Sequence, residues 1–432
     1  MPVLPEHQQP LIRMISESGF RILHTTTGFF WAFMIVATGL TVIKTVVVGW
    51  LAVRSRRTRR AINDNGARIP AVSVLMAAFN EEKVIAATLR TVLASRYPGE
   101  MEVIIVDDGS TDHTGAIVAA MAAQDARIRL IQQTNQGKAK ALQAGLAAVR
   151  HALVISLDAD TQFEPDTIAA LVEPFADPRV GAVSGRARVG NARTLFARFQ
   201  SLEYTCGFNL DRRAYGQLDC ITVVPGAVSA LRMSALEAVG GIRTDTLAED
   251  TDLTLNLHRY GYIVAYAPGA VAWTEAPETV PAFAKQRFRW AFGTLQCLWK
   301  HRDLLFSTRY KALGLFSLPS TWFFNIILVA TGSLIDLLLI CSLIVSPANH
   351  ILYFYFFVFL AADLLLAGVA CWIEKEPLRQ VWLVLPMRFL YRPVLNYVVI
   401  KAVLRAMKGV WVGWGKLDRT ASVNLQGVKG QA

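Results

Sequence analysis

Long apolar tracts at both ends of the chain restrict its fold more than any other feature of the sequence. Residues 27–53, 313–345 and 351–373 are almost entirely apolar. Each tract is long enough to cross a hydrocarbon layer of about 30 Å, which an α-helix spans with about 20 residues. Residues 61–310 instead have the mixed composition of a soluble globular domain. The chain is therefore predicted to hold a soluble domain framed by membrane helices.

A further apolar segment, residues 381–404, is interrupted by Arg388, Arg392 and Pro393. It could span the bilayer, re-enter it or lie at its interface, and the sequence leaves these alternatives open. Pro319 divides the tract 313–345, and an interfacial helix is expected before it. The predicted organisation is an N-terminal extracytoplasmic segment (1–26), a transmembrane helix (27–53), a basic linker (54–69), the soluble domain (70–300), an interfacial helix region (301–319), two transmembrane helices (320–345 and 351–373), a transmembrane or re-entrant segment (378–406) and a C-terminal tail (407–432).

The net charge of +11 has its most obvious cluster in the run RSRRTRR, residues 54–60, directly after the first apolar tract. Nucleic-acid binding would require basic residues interleaved with stacking aromatic residues, and this run has none. The positive-inside rule explains it more simply, because such a run holds its end of a membrane helix in the cytoplasm. We therefore predict a multi-pass membrane protein with its soluble domain in the cytosol and no nucleic-acid partner.

Lys44 is a charged residue inside the first apolar tract. The favoured interpretation is a snorkelling lysine whose ammonium reaches the cytoplasmic interface. A role in lining a pore is the alternative.

Between the membrane segments, from residue 70 onward, short apolar stretches alternate with longer amphipathic ones, from AVSVLMAA to ALVISLDAD. Apolar strands followed by helices of ten or more residues indicate successive βαβ units. The predicted fold class is an α/β, Rossmann-like domain with a mainly parallel sheet, inserted between transmembrane α-helices. Functional residues in such sheets gather at the carboxyl ends of the strands.

Three acidic clusters fall at predicted strand ends or loops, and each could consist only of turn and helix-capping residues. Together on one sheet edge, however, they would concentrate negative charge, which requires a cation or hydrogen-bond donors. A divalent metal ion bound together with a phosphorylated ligand would offset this negative charge. The clusters are Asp107 and Asp108, Asp158 and Asp160, and Glu249 and Asp250.

The spacing of Asp158 and Asp160 suits a hard cation such as Mg²⁺ or Mn²⁺, which prefers oxygen ligands from carboxylates, water and phosphate. No pair of histidines has metal-ligand spacing, and the five cysteines are scattered without a C-x-x-C pair. Zinc and a disulfide framework are therefore not indicated.

The segment NQGKAKAL, residues 135–142, places Gly137 and Lys138 before a predicted helix, where backbone amides and one ammonium could bind an anion. It is not a Walker A loop, because the glycine required five residues before Gly137 is Gln132. A G-x-G-x-x-G motif is also absent, which argues against dinucleotide redox chemistry.

The segment QRFRW, residues 286–290, precedes the long apolar region. In a helix Gln286, Arg289 and Trp290 share one face, and Arg287 turns away from it. Arginine offers a planar fork to a diphosphate, tryptophan a flat apolar face to a sugar ring, and glutamine hydrogen bonds to hydroxyls. The alternative is a belt of basic and aromatic residues beside the membrane.

In order and spacing, the motifs FNEE (79–82), DDGSTD (107–112), NQGKAKAL (135–142), DAD (158–160), VVPG (223–226), AED (248–250) and QRFRW (286–290) make the sequence resemble the processive family 2 glycosyltransferases with a GT-A fold. Within that family it is most similar to bacterial poly-β-1,6-N-acetylglucosamine synthases, a resemblance that implies a location in the bacterial inner membrane. Cellulose, hyaluronan and chitooligosaccharide synthases share the core motifs and remain alternatives. AED stands where TED is commoner.

On the donor side, the resemblance implies that Asp108 contacts the uracil and ribose of a UDP-sugar. Lys138 would lie near the uridine or diphosphate, Asp158 would hydrogen-bond the nucleotide sugar, and Asp160 would hold Mg²⁺ or Mn²⁺. Arg289 would bind the diphosphate. Phe79 and Glu81 of the first motif would belong to the same donor site.

On the acceptor side, the resemblance implies that Asp250 is the general base, with Glu249 beside it in the catalytic motif. Trp290 would stack against the terminal sugar of the growing chain, and Gln286 and Gly226 would complete the acceptor site. The expected partners are a UDP-sugar (UDP-N-acetylglucosamine above all), a growing polysaccharide, the lipid bilayer and, as a further option, a small membrane accessory subunit.

Proteins with other functions would be expected to carry different residues at these positions. A non-processive lipid-linked sugar transferase would keep the D-x-D pair but should lack the face formed by Gln286, Arg289 and Trp290. A scaffold without catalysis, or a plain transporter, would have no reason to retain Asp160, Asp250 and Arg289 together.

Overall fold

The computed structural model of the chain describes residues 9–55, 69–332, 335, 350–409 and 423. Several predicted features lie outside these residues: the first eight residues, residues 56–60 of the basic run, the turn 346–349 between two predicted membrane helices, and nearly all of the tail 407–432.

Three of the described helices are long and apolar enough to cross a membrane. The apolar parts are Trp31–Ser55, Leu313–Gly332 and Tyr353–Glu374, and a fourth candidate is a pair, Leu378–Leu390 and Arg392–Met407, bent by 52°. The bend falls at Arg392 and Pro393, the residues that interrupt the apolar pattern in the sequence, because proline cannot donate to the preceding turn. These helices indicate association with a membrane.

The first helix, α1, runs without a break from Gln9 to Ser55, so it begins well before the predicted segment 27–53. The second apolar helix runs through Pro319 instead of ending before it. Wide π-helical turns on both sides, Leu313–Ser317 and Thr321–Ile327, accommodate the proline within the helix.

The soluble region is built on one sheet of eight strands in the order β3-β2-β1-β4-β7-β6-β8-β5. Strands β1 to β4 form the parallel half, joined by helices as the alternating pattern predicts. Strand β7 is antiparallel to both of its neighbours, β5 is antiparallel to β8, and β6 and β8 are parallel. The strands are β1 (Val72–Ala78), β2 (Met101–Asp107), β3 (Ile128–Gln132), β4 (Leu153–Ser156), β5 (Gln162–Phe163), β6 (Val180–Val189), β7 (Ser229–Arg232) and β8 (Ile263–Thr274).

Helices cover both faces of the sheet and connect it to the membrane helices. The helices after α1 are numbered in chain order. They are α2 (Ile85–Leu93), α3 (Thr114–Ala122), α4 (Lys138–Leu146), α5 (Thr167–Val172), α6 (Leu195–Glu203), α7 (Asp211–Gly216), α8 (Met233–Ala238), α9 (Glu249–Arg259), α10 (Val280–Lys300), α11 (Leu313–Gly332), α12 (His350–Glu374), α13 (Val384–Leu390) and α14 (Arg392–Met407).

Helix α4 packs unusually close to the sheet, because Gly145 has no side chain. A Cβ atom there would lie 2.2 Å from Cδ1 of Leu75 on β1. The buried residues Leu142 and Leu75 belong to the same apolar core. This contact fixes the amino end of α4, which carries Lys138, beside the carboxyl ends of β1 and β2.

A buried ionic cluster attaches the end of α12 to the soluble domain. The side chain of Glu374 is fully buried, and its two oxygens lie 2.9 Å from Nε of Arg186 on β6 and 2.9 Å from Nε of Arg213 on α7. Glu376 pairs with Nη2 of Arg186 at 3.0 Å and Nη2 of Arg188 at 2.6 Å. The membrane helix and the sheet are therefore held together by ion pairs that are largely buried.

We expect the substitution Glu374→Gln to destabilise the folded protein by about 3–5 kcal/mol, because it leaves the guanidinium of Arg213 buried without its carboxylate. The thermal unfolding midpoint of the detergent-purified protein measures this. Glu100→Gln, at an exposed position, is the control and should unfold like the unmodified protein. Equal midpoints for the two variants would contradict the role given to the cluster.

Candidate active site

One cavity of about 410 Å³ lies between the carboxyl edge of the sheet and the membrane helices. Its wall contains every residue to which the family resemblance assigns a site role. These are Phe79, Glu81, Asp108, Lys138, Asp158, Asp160, Gly226, Glu249, Asp250, Gln286, Arg289 and Trp290. The size is that of a site for a small-molecule ligand. The residues come from segments separated by more than two hundred positions, so the fold brings them together.

Two loops at the sheet edge position Phe79 and Glu81. The loop after β1 turns at Asn80, which has a φ of 53°. The Asn80 Oδ1 accepts a hydrogen bond of 2.7 Å from the backbone N–H of Thr111, and the N–H of Glu81 donates to Oγ1 of Thr114 at 2.7 Å. The first two sequence motifs are therefore bonded to each other.

Asp108, at the end of β2, organises the loop before α4. Its Oδ2 accepts a 2.8 Å hydrogen bond from the N–H of Gly137, and its Oδ1 accepts bonds from the N–H of Gln136 and from Nε2 of Gln133. Gly137 has a φ of 92°, which favours glycine. This buried carboxylate thus fixes the position from which Lys138 enters the cavity.

Lys138 is the cation at the centre of the acidic edge. Its Nζ lies 2.6 Å from Oδ1 of Asp158 and 3.6 Å from Oε1 of Glu249. Burial alone would lower the pKa of Lys138, but the surrounding carboxylates, including Asp250, raise it above its usual value. The ammonium therefore stays charged and partly neutralises the predicted concentration of negative charge.

Asp250 begins the helix α9 and faces the same cavity. Burial, and next the neighbouring negative charge of Glu249, raise the pKa of Asp250 to about 6, while Lys138 opposes the rise. A carboxylate with such a pKa accepts a proton more readily than an ordinary aspartate does. This residue has the properties of a general base near neutral pH.

Gly226 lies directly against the ion pair of Lys138 and Asp158. A Cβ atom at this position would lie 2.8 Å from Nζ of Lys138 and 3.3 Å from Oδ1 of Asp158. A larger residue would therefore displace the lysine ammonium. This explains why the motif VVPG ends in glycine.

Asp160 is a buried carboxylate in the wall of the cavity. Within the described residues no group of three or more His, Cys, Asp or Glu side chains is arranged to hold a metal ion. Magnesium and manganese, however, need only one or two protein carboxylates when substrate phosphates supply further ligands. The all-oxygen side chains of Asp160 and its neighbours fit such an ion and do not fit zinc.

Helix α10 presents Gln286, Arg289 and Trp290 to the cavity, as the helical spacing predicts. Arg287 does not line the cavity: it pairs with Glu203, and its Nη2 lies 3.3 Å from the hydroxyl of Tyr391. Its guanidinium carbon lies 4.4 Å from the centre of the Trp290 ring. The Trp290 ring is 37% exposed. It packs edge-on against Phe208, with 5.9 Å between ring centroids.

The loop carrying the AED motif is bonded to the same helix. The N–H of Leu247 donates to Oε1 of Gln296 at 2.9 Å, and Sγ of Cys297 lies 3.4 Å from the carbonyl oxygen of Ala248. Gly293 allows this approach, because a Cβ atom there would lie 2.9 Å from the backbone nitrogen of Ala248. Asp250 and Trp290 are therefore positioned by one packed unit.

The cavity also has residues that sequence reasoning missed. Lys44 lines it, and its Nζ lies 3.4 Å from Oδ2 of Asp211, so the snorkelling interpretation of this lysine is wrong. The salt bridge holds the side chain against the soluble domain instead. The charged triplet DRR, residues 211–213, is the sequence feature that could have indicated a charged partner for Lys44. The additional lining residues include Lys44, Tyr204, Phe208, Asp211, Arg212, Tyr215, Ser320, Thr321 and Asn325.

Comparisons with known proteins agree with this geometry. Residues 70–293 match the sequence family described as glycosyltransferase like family 2. A poly-beta-1,6-N-acetyl-D-glucosamine synthase of Staphylococcus epidermidis is 29% identical over 373 residues, covering 82% of this chain and 88% of the relative. The synthase of Staphylococcus aureus (strain COL) is 32% identical over 269 residues, covering 61% of this chain and 65% of the relative.

A solved structure has the same fold. It is a mannosyltransferase from Pyrobaculum calidifontis in complex with GDP-Man and Mn²⁺, with a TM-score of 0.59 and 23% identity, covering 87% of this chain and 98% of its own. The predictions of family, fold class and enzymatic nature are thereby confirmed. The chain is a glycosyltransferase with a GT-A fold and belongs to glycosyltransferase family 2.

Proposed function

We propose that this enzyme transfers N-acetylglucosamine from UDP-N-acetylglucosamine to the end of a growing β-linked exopolysaccharide and helps to export the product. The observation that carries the proposal is the single cavity in which the acidic sheet edge, Asp250 and Trp290 meet beside α1 and α11. The names of the staphylococcal relatives support the choice of sugar.

On the donor side, Lys138 and Arg289 would bind the diphosphate, because both are cations in the cavity wall. Asp108 would contact the uridine and fix the loop that carries Lys138, and Asp158 would hydrogen-bond the nucleotide sugar. Phe79 and Glu81 would complete the nucleotide site.

Mg²⁺ or Mn²⁺ would be held by Asp160 together with the diphosphate, and when bound it would stabilise the charge of the departing UDP. Lys138 and Arg289 would contribute to the same stabilisation from the protein.

On the acceptor side, Asp250 would remove the proton from the acceptor hydroxyl as its oxygen attacks the anomeric carbon. The bond from that carbon to the UDP oxygen breaks in the same displacement, so an α-linked donor gives a β-linked product. Glu249 would keep the pKa of Asp250 high by charge repulsion. Trp290 would stack on the terminal sugar, with Gln286 and Gly226 beside it.

For the topology, we propose an inner-membrane protein with a cytosolic catalytic domain, supported by the basic run 54–60 after the first apolar helix. The polymer would leave along the membrane helices that border the cavity. A small membrane accessory subunit is a further proposed partner.

Radiolabelled UDP-sugars added to membranes that contain the enzyme test the proposed reaction. Label from UDP-N-acetylglucosamine should enter a long polymer that a β-1,6-N-acetylglucosaminidase degrades. A polymer made from another UDP-sugar would favour a cellulose or hyaluronan synthase type of enzyme. A single sugar transferred to lipid would indicate a non-processive transferase and would contradict the proposal.

We expect Asp250→Asn to stop polymer formation while UDP binding stays within about twofold of the unmodified enzyme, because only proton removal is lost. Calorimetry with UDP and a polymer assay on the same preparation measure the two effects. A variant that lost UDP as well as activity would show that Asp250 serves the nucleotide and not the acceptor.

The pH dependence of kcat/KM for the acceptor should report the ionisation of Asp250. The base works in its ionised form, so activity should fall as the pH drops through about 6. Glu249→Gln removes a negative neighbour, lowers the pKa of Asp250, and should move this acidic limb to lower pH. Glu237→Gln, at an exposed position on α8, is the control and should leave the limb unchanged. An unmoved limb in Glu249→Gln would exclude Asp250 as the titrating group.

We expect Trp290→Ala to reduce elongation at least about tenfold, because the attacking hydroxyl loses its alignment. UDP binding and membrane insertion should survive, since neither uses this ring. The measurement is polymer yield per mole of inserted enzyme. Trp299→Ala, at an exposed position on the same helix, is the matched control. Full specific activity in Trp290→Ala would contradict the acceptor-binding role and would favour the alternative, an aromatic anchor at the membrane interface.

A further inference from the structure

Arg212 is a buried cation in the cavity wall for which the proposed reaction has no role. Only 7% of its surface is exposed, and it lies beside the acceptor platform. Its guanidinium carbon lies 5.5 Å from the centre of the Phe208 ring, and Phe208 in turn contacts Trp290. The three side chains form a row that leads from α10 to α7.

Two neighbouring arginines have carboxylate partners, and Arg212 differs from them. Arg213 pairs with Glu374, and Arg287 pairs with Glu203. The adjacent Asp211 is paired with Lys44. In the part of the chain that the structure describes, Nε and Nη1 of Arg212 are buried and make no hydrogen bond.

Two buried N–H donors without acceptors are costly, and a ligand in the cavity that supplies oxygen atoms would remove that cost. The wall of the same cavity also contains Gln286, whose Oε1 is likewise buried and makes no hydrogen bond within the described residues. Donors and an acceptor are therefore both available to one neutral polar group. An acetamido group has this character, because it offers a carbonyl oxygen and an N–H.

The surroundings favour the acceptor over the nucleotide sugar as the ligand. Arg212 stands on α7 beside Phe208, and the adjacent Asp211 pairs with Lys44 of α1. Lys44 and Ser320 of α11 line the same cavity. Tyr215 of α7 contacts Ser320 directly, with 3.3 Å between their hydroxyl oxygens. Apart from Arg289 on α10, the residues assigned to the nucleotide come instead from the sheet edge and from α4.

We propose that Arg212 determines acceptor specificity: it donates hydrogen bonds to the acetamido carbonyl oxygen of the terminal acceptor sugar and rejects a terminal sugar with a free amine. This inference rests on the proposed function. Glucosamine carries an ammonium group at neutral pH, which lacks the carbonyl oxygen and is repelled by a guanidinium that has no carboxylate of its own. The enzyme would therefore extend acetylated chain ends and stall on deacetylated ones.

Two soluble acceptors test the proposal: a β-1,6-linked N-acetylglucosamine oligomer, and the same oligomer with a free amine at its non-reducing end. The unmodified enzyme, supplied with labelled UDP-N-acetylglucosamine, should prefer the acetylated oligomer in kcat/KM by roughly tenfold or more, the size expected from a like-charge contact in a partly buried site. The KM for the donor should be the same with both oligomers.

The variant Arg212→Gln should lose most of this preference, by losing activity on the acetylated oligomer and gaining it on the amine. Arg212→Lys keeps the charge and should still reject the amine. Arg198→Gln, at an exposed position on α6, is the matched control and should behave like the unmodified enzyme.

Three results would overturn the proposal: equal use of both oligomers by the unmodified enzyme, an unchanged preference in Arg212→Gln, or a change confined to the KM for the donor. The first result decides the matter even if Arg212→Gln fails to fold. Absence of any product from UDP-N-acetylglucosamine would instead refute the proposed function, so the two failures are distinguishable.

Discussion

The ion pair between Lys138 and Asp158 is the interaction on which the site depends. Seven further carboxylates line the same cavity, namely Glu81, Asp108, Asp160, Asp211, Glu249, Asp250 and Glu275. Like charges so close together would disfavour the folded arrangement unless cations or hydrogen-bond donors compensated them. Lys138 supplies one positive charge at the centre, and backbone N–H groups of the loop before α4 donate hydrogen bonds that stabilise the Asp108 carboxylate. Much of the remaining negative charge must be compensated by a bound ligand that brings a cation or hydrogen-bond donors.

The position of Lys138 depends on packing contacts made by glycines, some of them distant from the reacting groups. Gly145 lets α4 approach β1, Gly137 allows the turn before α4, and Gly226 leaves space for the ammonium. The acceptor side is built in a similar way, since Gly293 brings the AED loop against α10. Helix α10 is in turn tied to the junction between α13 and α14, because Arg287 and the hydroxyl of Tyr391 both contact Glu203. The reacting groups are thus connected to the membrane helices through buried contacts.

Much of the architecture could be predicted from local sequence. The βαβ half of the sheet has strong alternation, and the site residues stand at strand ends or on one helix face, where simple geometry applies. Strands β5 and β7 could not be predicted in this way: they are two and four residues long, and their pairing depends on distant chain segments. Pro319 was misleading, because the π-helical turns on both sides of it keep the helix continuous.

Lys44 and Arg212, the site residues that the sequence analysis missed, show a different limit of prediction from sequence. Each was visible as a charge in an apolar or helical context, but its meaning depends on its partner across the fold. Lys44 pairs with a residue more than a hundred positions away, and Arg212 is notable because it has no such pair among the described residues. Periodicity reports which face of a helix a residue occupies and does not report what lies opposite.

The most direct test of this charge arrangement is the metal dependence of UDP binding to the purified enzyme. A diphosphate entering a cavity lined by carboxylates needs a divalent cation to offset their repulsion. Calorimetry should therefore show UDP binding at least roughly tenfold tighter with Mn²⁺ than with a chelator, and Asp160→Ala should abolish the difference. Equal UDP affinity with Mn²⁺ and with the chelator in the unmodified enzyme would contradict the charge balance described for this site.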